Sequence, residues 1–178
     1  NGDGTIYRND STEVSISGDA TVTEGAAAAY TVTLTNPIEG AGADLTVDYQ
    51  ATDGSAIVAS DLDFSVTSAN PDSVTVSEGD TTAGFSYTTY ADSYVEAAED
   101  YKVVLTGAAT GNSEVDSRIT ISTPDATTII DDNDTAVVSL SGPATVTEDP
   151  VTGNMLLNFT ITVDNTHVMG TGQVTVDY

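Results

Sequence analysis

Alternating apolar and polar residues run through most of the chain. In "TEVSIS" (12–17) and "AAYTVTLT" (28–35) every second residue faces the same side of an extended chain, the period of a strand with one buried face. Thr and β-branched residues dominate these segments, and turn formers separate them, as at Gly18-Asp19. No segment combines a 3.6-residue period with a cap, so no helix is predicted, and the Ala run at 26–29 is assigned to a strand. The predicted strands are 12–17, 28–35, 44–50, 72–78, 83–90, 100–107, 117–122 and 126–131.

The number and spacing of these segments indicate the fold class. About seven short strands with turn signals between them are typical of an all-β protein, an antiparallel β-sandwich. Loops of such a sandwich alternate between its two ends, so residues far apart in sequence meet at one pole.

An internal repeat divides the chain. "VSISGDATVTE" at 14–24 returns as "VSLSGPATVTE" at 138–148, a shift of 124 residues. "LTVDY" at 45–49 returns as "VTVDY" at 174–178, a shift of 129, so the second copy carries about five extra residues in its first hairpin. A repeat of this length predicts sandwiches arranged in a tandem array. The predicted division is a tail or linker of a preceding repeat at 1–10, a complete sandwich at 11–133, and the N-terminal strands of a second, incomplete repeat at 134–178.

The charge balance restricts the partners. The chain has 28 acidic and three basic residues, for a net charge of −25. It should repel nucleic acid and anionic membranes and attract divalent cations. No apolar run approaches the roughly 18 residues of a membrane span, so no membrane insertion is expected. Cys is absent, which excludes disulfides and zinc–thiolate sites. A secreted β-protein without disulfides needs another source of stability, and a bound metal is the expected substitute.

The residues that an enzyme would need are missing from the complete repeat. His167 is the single His, and it lies in the incomplete second copy, so no Ser/His/Asp triad can be assembled in the first. Paired carboxylates of a glycosidase need one acid held protonated in an apolar cleft. The acids here lie in polar, turn-rich segments that favour ionisation. We therefore predict no catalytic residues and no enzymatic activity.

The acids of the complete repeat cluster in four segments. Glu24 follows the first strands, Asp53 lies in the turn "ATDGSA", several acids lie in "YADSYVEAAEDY" (90–101), and Asp131 and Asp132 end the last strand. Two carboxylates about 5 Å apart repel by roughly 3 kcal/mol at an effective dielectric near 20. A cation would offset that repulsion, and hard oxygen ligands suit Ca²⁺ better than Zn²⁺. The alternative is that these acids are separate, solvated turn residues.

The combination of motifs resembles a known family. Four segments over residues 11–134 resemble the Calx-beta domain: "VSISGDATVTEG", "LTVDYQATDGSAIVASDLDF", "VTVSEGDTTAGFSYTTYADSYVEAAEDYKVVLTG" and "ATTIIDDND". That domain occurs in regulatory regions of sodium–calcium exchangers, in integrin β4 and in tandem arrays of large bacterial surface adhesins. The shared pattern is an E-G turn, a D-G-[ST]-A turn, a D-x-x-x-E-x-x-E segment and a terminal I-I-D-D run.

The resemblance implies a seven-stranded, immunoglobulin-like sandwich with calcium at one pole. This chain has Ala91 where the family has an acid, and Asn133, which still offers a carbonyl oxygen, where the family often has a third acid. These two departures imply a reduced site of one or two ions. The metal ligands implied by position are Glu24, Asp53, Asp92, Glu96, Glu99, Asp131, Asp132 and Asn133.

The resemblance and the repeat together predict a structural function. The expected protein is a secreted, extracellular adhesin of the bacterial cell surface, active in cell adhesion and biofilms. Calcium would stiffen a stalk whose partners are the neighbouring repeats of the same polypeptide. One alternative is self-association into an extracellular filament, by strand complementation of the incomplete repeat. Another alternative is a glycan- or ligand-binding module that uses Tyr87, Tyr90 and Tyr94. A calcium sensor is disfavoured by the Thr/Ala/Asp-rich composition and the tandem repetition.

Overall fold

The computed structural model describes residues 10–40, 44–56, 72–147, 151, 157–164 and 177. These fall into two compact units. The first comprises the described residues of Asn1–Ala91 and Ala98–Asp131, and the second those of Asp92–Ala97 and Asp132–Tyr178.

The first unit contains nine strands and one helical turn within the described residues. They confirm the eight strands predicted from alternation. The three-residue strand β2 was not predicted separately, because it is too short to show a period. The strands are β1 (Thr12–Gly18), β2 (Thr21–Thr23), β3 (Ala27–Leu34), β4 (Leu45–Asp53), β5 (Asp72–Val76), β6 (Thr82–Thr88), β7 (Glu99–Ala109), β8 (Ile119–Thr123) and β9 (Asp125–Asp131), and the helix is α1 (Ser113–Asp116).

Two sheets form the sandwich. The first sheet has the order β6-β3-β1-β8, and the second has the order β2-β9-β7-β4-β5. Strands β1, β3 and β4 bury alternate residues: in β3, Tyr30 and Val32 are buried and Thr31 is exposed. Aliphatic and Tyr side chains from both sheets form one hydrophobic core. The immunoglobulin-like β-sandwich is confirmed.

The first and last strands each pass from one sheet to the other. β1 leads through Asp19 into β2, and β8 leads through Pro124 into β9, so the nine segments amount to about seven strands, as predicted. Pro124 has no N–H to donate to a ladder, which suits a crossover, and its carbonyl accepts from Leu105 N at 2.6 Å. β1 pairs with β8, and β2 with β9, in parallel. The prediction of a purely antiparallel sandwich is wrong at these two pairs, because the first and seventh strands run in the same direction and lie side by side.

The helix α1 was not predicted. It spans four residues after Asn112, whose side chain accepts from Glu114 N at 3.1 Å as an N-cap. One turn is too short to display a helical period, so the prediction that the chain has no helix is wrong here. Thr110 stabilises this turn, since its N–H and its hydroxyl donate to Asp116 Oδ1 at 2.7 and 2.8 Å. Among the described residues, no helix is long and apolar enough to cross a membrane.

Buried Tyr side chains join the two sheets. The hydroxyl of Tyr30 is hydrogen-bonded to that of Tyr101 at 2.9 Å and to that of Thr128, which donates to the carbonyl of Asp19 at 2.7 Å. Burial raises the pKa of Tyr101 above its usual value. The ring of Tyr87 also lies in this core, 5.7 Å from that of Tyr30. Tyr87 therefore cannot contribute to the surface that the glycan-binding alternative requires.

The second unit contains an antiparallel hairpin. Strand β10 (Val138–Ser141) pairs with β11 (Thr160–Val163), with Val138 opposite Val163 and Leu140 opposite Ile161. Val137 and Asp164 close its open end: Asp164 N donates to the carbonyl of Val137 at 3.0 Å.

Candidate metal centre

Four strands of the second sheet present an acid at the same pole of the first unit. β2 and β9 end there together, since Thr23 lies opposite Asp131, and Glu24 N donates to the Asp131 carbonyl at 2.9 Å. β7 begins there with Glu99, which lies opposite Ile130. β4 ends there with Asp53. The fold thus collects four of the predicted ligands at one pole: Glu24, Asp53, Glu99 and Asp131.

The turn after β2 requires its glycine. Gly25 has φ +76°, in the left-handed region, and a Cβ there would lie 2.8 Å from the Cβ of Ala91. Gly25 N donates to the carbonyl of Tyr90 at 3.2 Å. This turn keeps Glu24 directly beyond the end of β2.

The turn after β4 is positioned by Asp100, which sequence analysis missed. Ser55 donates its hydroxyl and its N–H to Asp100 Oδ1 at 2.7 and 3.1 Å, and these hydrogen bonds lower the pKa of Asp100. Ala56 N donates to the Asp100 carbonyl at 3.0 Å. Asp100 thereby holds the turn that follows Asp53. Adjacent acids such as Glu99 and Asp100 carry no sequence signal that separates a ligand from a positioning residue.

The four acids occupy different faces of the sheet. Asp53 shares strand parity with buried Ala51, and Glu99 with buried Tyr101, so both acids stand at the inner face. Asp131 follows a buried residue of β9 and belongs to the outer face. The carboxylates therefore surround the end of the sheet on both sides.

The row of acids is wider than one calcium shell. β2 and β4 are separated by three strand spacings in the order β2-β9-β7-β4, which is about 14 Å at roughly 4.8 Å each. Calcium binds oxygen at 2.3–2.6 Å, so two ligands of one ion lie at most about 5 Å apart. Glu24 and Asp53 consequently occupy opposite ends of a row with room for more than one ion.

The other predicted ligands belong to the second unit. Asp132 Oδ2 accepts from Glu96 N at 2.6 Å, which connects the segment Asp92–Ala97 to the acidic run. Asp92 Oδ1 accepts from Tyr94 N at 2.7 Å and closes a tight local turn. Asn133 lies in the same run with an exposed side chain.

Asp134 is a further acid that sequence analysis left out of the site. Its N–H donates to Asp132 Oδ1 at 2.7 Å. Its Oδ2 atom is buried and has no hydrogen-bond partner among the described residues. A buried carboxylate oxygen is costly unless a donor or a cation compensates it. The run "DDND" contains Asp134 beside the three predicted ligands Asp131, Asp132 and Asn133, so the sequence did carry a signal for Asp134.

The donor set suits a hard cation. The eight predicted ligands and Asp134 offer carboxylate or amide oxygen, without a thiolate or an imidazole. Oxygen donors on turns of variable geometry match Ca²⁺, which accepts six to eight oxygens in flexible arrangements. The residues present therefore fit calcium.

The fold and the acidic pole define the class of protein, an immunoglobulin-like sandwich with the architecture of Calx calcium-binding domains. The apo-form Calx CBD1 domain has a TM-score of 0.56 and 18% identity, over 70% of this chain and 100% of that one. The Calx CBD2 domain has a TM-score of 0.51 and 11% identity, over 68% of this chain and 86% of that one. The predicted resemblance to Calx-beta domains is confirmed at the level of the fold.

A longer structure is similar over part of its length. The calcium binding domain CBD12 of CALX1.1 has a TM-score of 0.53 and 20% identity, over 67% of this chain and 44% of that one. The chain thus spans less than half of that structure. No protein-family model matches the sequence, and no curated protein matches it.

Proposed function

We propose that this chain is a non-catalytic, calcium-binding structural module. The observation that carries the proposal is the pole where four strands of one sheet each present an acid: Glu24, Asp53, Glu99 and Asp131. A similar structure is named as a calcium binding domain, which supports the same ion here.

The remaining ligands are proposed from the sequence. Asp92, Glu96, Asp132 and Asn133 match the Calx-beta pattern. Asp134 adds a fifth oxygen donor, since its buried Oδ2 has no hydrogen-bond partner within the part of the chain that the structure describes. We propose that these residues also bind calcium.

Calcium would act by removing like-charge repulsion. The loops at the pole repel one another when their carboxylates are ionised, and a divalent cation offsets that repulsion. A ligand that binds the folded state alone, at 100 times its dissociation constant, adds about 2.7 kcal/mol of stability.

Thermal unfolding in Ca²⁺ and in EDTA tests the proposal. The wild-type chain should melt at a higher temperature in Ca²⁺, and Asp131→Asn should lose most of that difference. Asp125→Asn is the matched control, since it removes the same charge from the opposite end of β9, where Asp125 forms an exposed ion pair with Lys102. A melting temperature that does not respond to Ca²⁺ would refute calcium binding. Equal responses in both variants would place the site elsewhere.

We further propose that the module belongs to an extracellular bacterial adhesin in which calcium-bound repeats form a stiff stalk. The support is in the sequence: an internal repeat, a net charge of −25 and the absence of Cys. Such a stalk would have the neighbouring repeats of its own polypeptide as its partners.

A further inference from the structure

The β10–β11 hairpin presents an uncovered apolar face. Residues opposite one another in an antiparallel pair, and residues two apart in a strand, share a face. Val138 and Leu140 therefore lie on the same face as Val163 and Ile161, their partners. Phe159 continues this row just before β11. Val138, Leu140, Phe159 and Ile161 are 44, 64, 60 and 46% exposed.

This hairpin repeats the register of β1 and β3. Val138 opposite Val163 is equivalent to Val14 opposite Leu34, at the shifts of 124 and 129 residues found in the sequence repeat. The next pair along each hairpin follows at the same shifts. The equivalent face of the first unit is covered, since Val14, Ile16, Tyr30, Val32 and Leu34 are 0, 4, 1, 0 and 3% exposed.

A glycine–aromatic contact is also repeated. A Cβ on Gly18 would collide with the ring of Tyr30, and a Cβ on Gly142 would lie 2.6 Å from the ring of Phe159. These pairs are related by the same two shifts. In both hairpins the aromatic ring lies over the glycine, but only the ring of Tyr30 is buried.

The ends of the two hairpins close in the same way. Thr35 N donates to the carbonyl of Glu13 at 3.0 Å, and Asp164 N donates to that of Val137 at 3.0 Å. In each hairpin a second hydrogen bond runs from the opposite backbone N–H to a side-chain oxygen. Glu13 N donates to Thr35 Oγ1 at 2.9 Å, and Val137 N donates to Asp164 Oδ1 at 2.5 Å. The likeness therefore extends from sequence to backbone register and to individual contacts.

We propose that the β10–β11 face is a docking surface for a β-sheet built like the second sheet of the first unit. In the first unit, the equivalent face is covered by that sheet, where Tyr30 hydrogen-bonds to Tyr101 of β7 and Thr128 of β9. The occupant is accordingly a strand set of the same repeat type, with alternating aliphatic and aromatic residues toward the hairpin.

The centre of the occupant should be apolar. Phe159 stands where the first unit has Tyr30, and it has no hydroxyl to offer. A sheet with Tyr101 at the equivalent position would lose the hydroxyl partner that Tyr30 supplies, and an unpaired buried hydroxyl is destabilising. Thr128 also donates to a backbone carbonyl, so the hairpin favours a partner with Phe at the position of Tyr101.

An extended chain tests the docking surface. Residues 1–164 would be followed by a second copy of residues 36–134, which places the strands of a complete repeat after β11 at the equivalent point. Amide hydrogen exchange at Val138–Ser141 should slow markedly relative to the unextended chain. Tyr101→Phe, made in the appended copy alone, should slow it further.

Two variants locate the surface. Leu140→Asp in the extended chain should abolish the protection, while Ser139→Asp, which puts the same charge on the opposite face, should leave it. Absence of protection in the extended chain would overturn the proposal. Protection that is present without the extension and falls on dilution would also overturn it, because a second copy of the hairpin would then cover the face.

Discussion

At the residue scale, acids in this protein serve two purposes that the sequence does not distinguish. Asp100, Asp116 and Asp132 accept hydrogen bonds from backbone N–H groups and fix local turns. Glu24 directly follows β2 and Asp131 ends the neighbouring strand β9, both at the acidic pole. The cluster of acids was predictable from composition and spacing. The assignment of each acid was not, because hydrogen-bond partners such as Ser55 and Thr110 are defined by the folded turn.

Asp116 provides a pH test of a turn-fixing acid. Hydrogen bonds from the N–H and hydroxyl of Thr110 lower the pKa of Asp116 from its ordinary 3.8. A depressed carboxyl pKa contributes stability above the unfolded-state pKa, and that contribution is lost as pH falls through the folded-state pKa. Asp116→Asn should therefore lower the free energy of unfolding at neutral pH and have little effect in acid well below 3.8.

Urea unfolding at the two pH values measures this difference. Glu114→Gln is the control, since it removes the same charge from the same turn and leaves both Thr110 bonds in place. A deficit of Asp116→Asn that is equal at neutral and acid pH would show that the carboxylate charge contributes nothing.

At the element scale, alternation predicted the strands but not how the chain changes sheets. The buried faces of β3 and β4 follow directly from their period-two sequences. The crossover at Pro124, the three-residue β2 and the one-turn α1 are too short to show a period, and the parallel pairs result from long-range packing. The acidic pole depends on this packing, because β2 and β9 meet there only in the folded sheet.

Gly54 tests the turn that carries Asp53. A Cβ on Gly54 would collide with the backbone carbonyl of Asp100. Gly54→Ala should therefore cost about 1–3 kcal/mol, as overpacking does, and reduce the calcium-induced rise in melting temperature. Gly84→Ala is the control in β6, since its nearest contact would be an ordinary 3.5 Å to the carbonyl of Tyr30. A Gly54→Ala protein as stable as Gly84→Ala would show that the turn relaxes without loss.

At the scale of the whole molecule, the two units differ in how they bury apolar surface. The described core extends from Val14 to Ile130 and lies entirely in the first unit. In the second unit, the apolar residues of β10 and β11 are largely exposed. Folding of the first unit should consequently need no residue beyond the acidic run at 131–134.

A chain ending at Asp134 tests this independence. It retains the complete described core and all of the proposed calcium ligands, so its melting temperature and its response to Ca²⁺ should match those of the full chain. The full chain should bind more of an apolar dye such as ANS, because it carries exposed Leu140 and Phe159. A lower melting temperature in the shortened chain would contradict the independence of the first unit. Equal dye binding would contradict the exposed face on which the proposed docking depends.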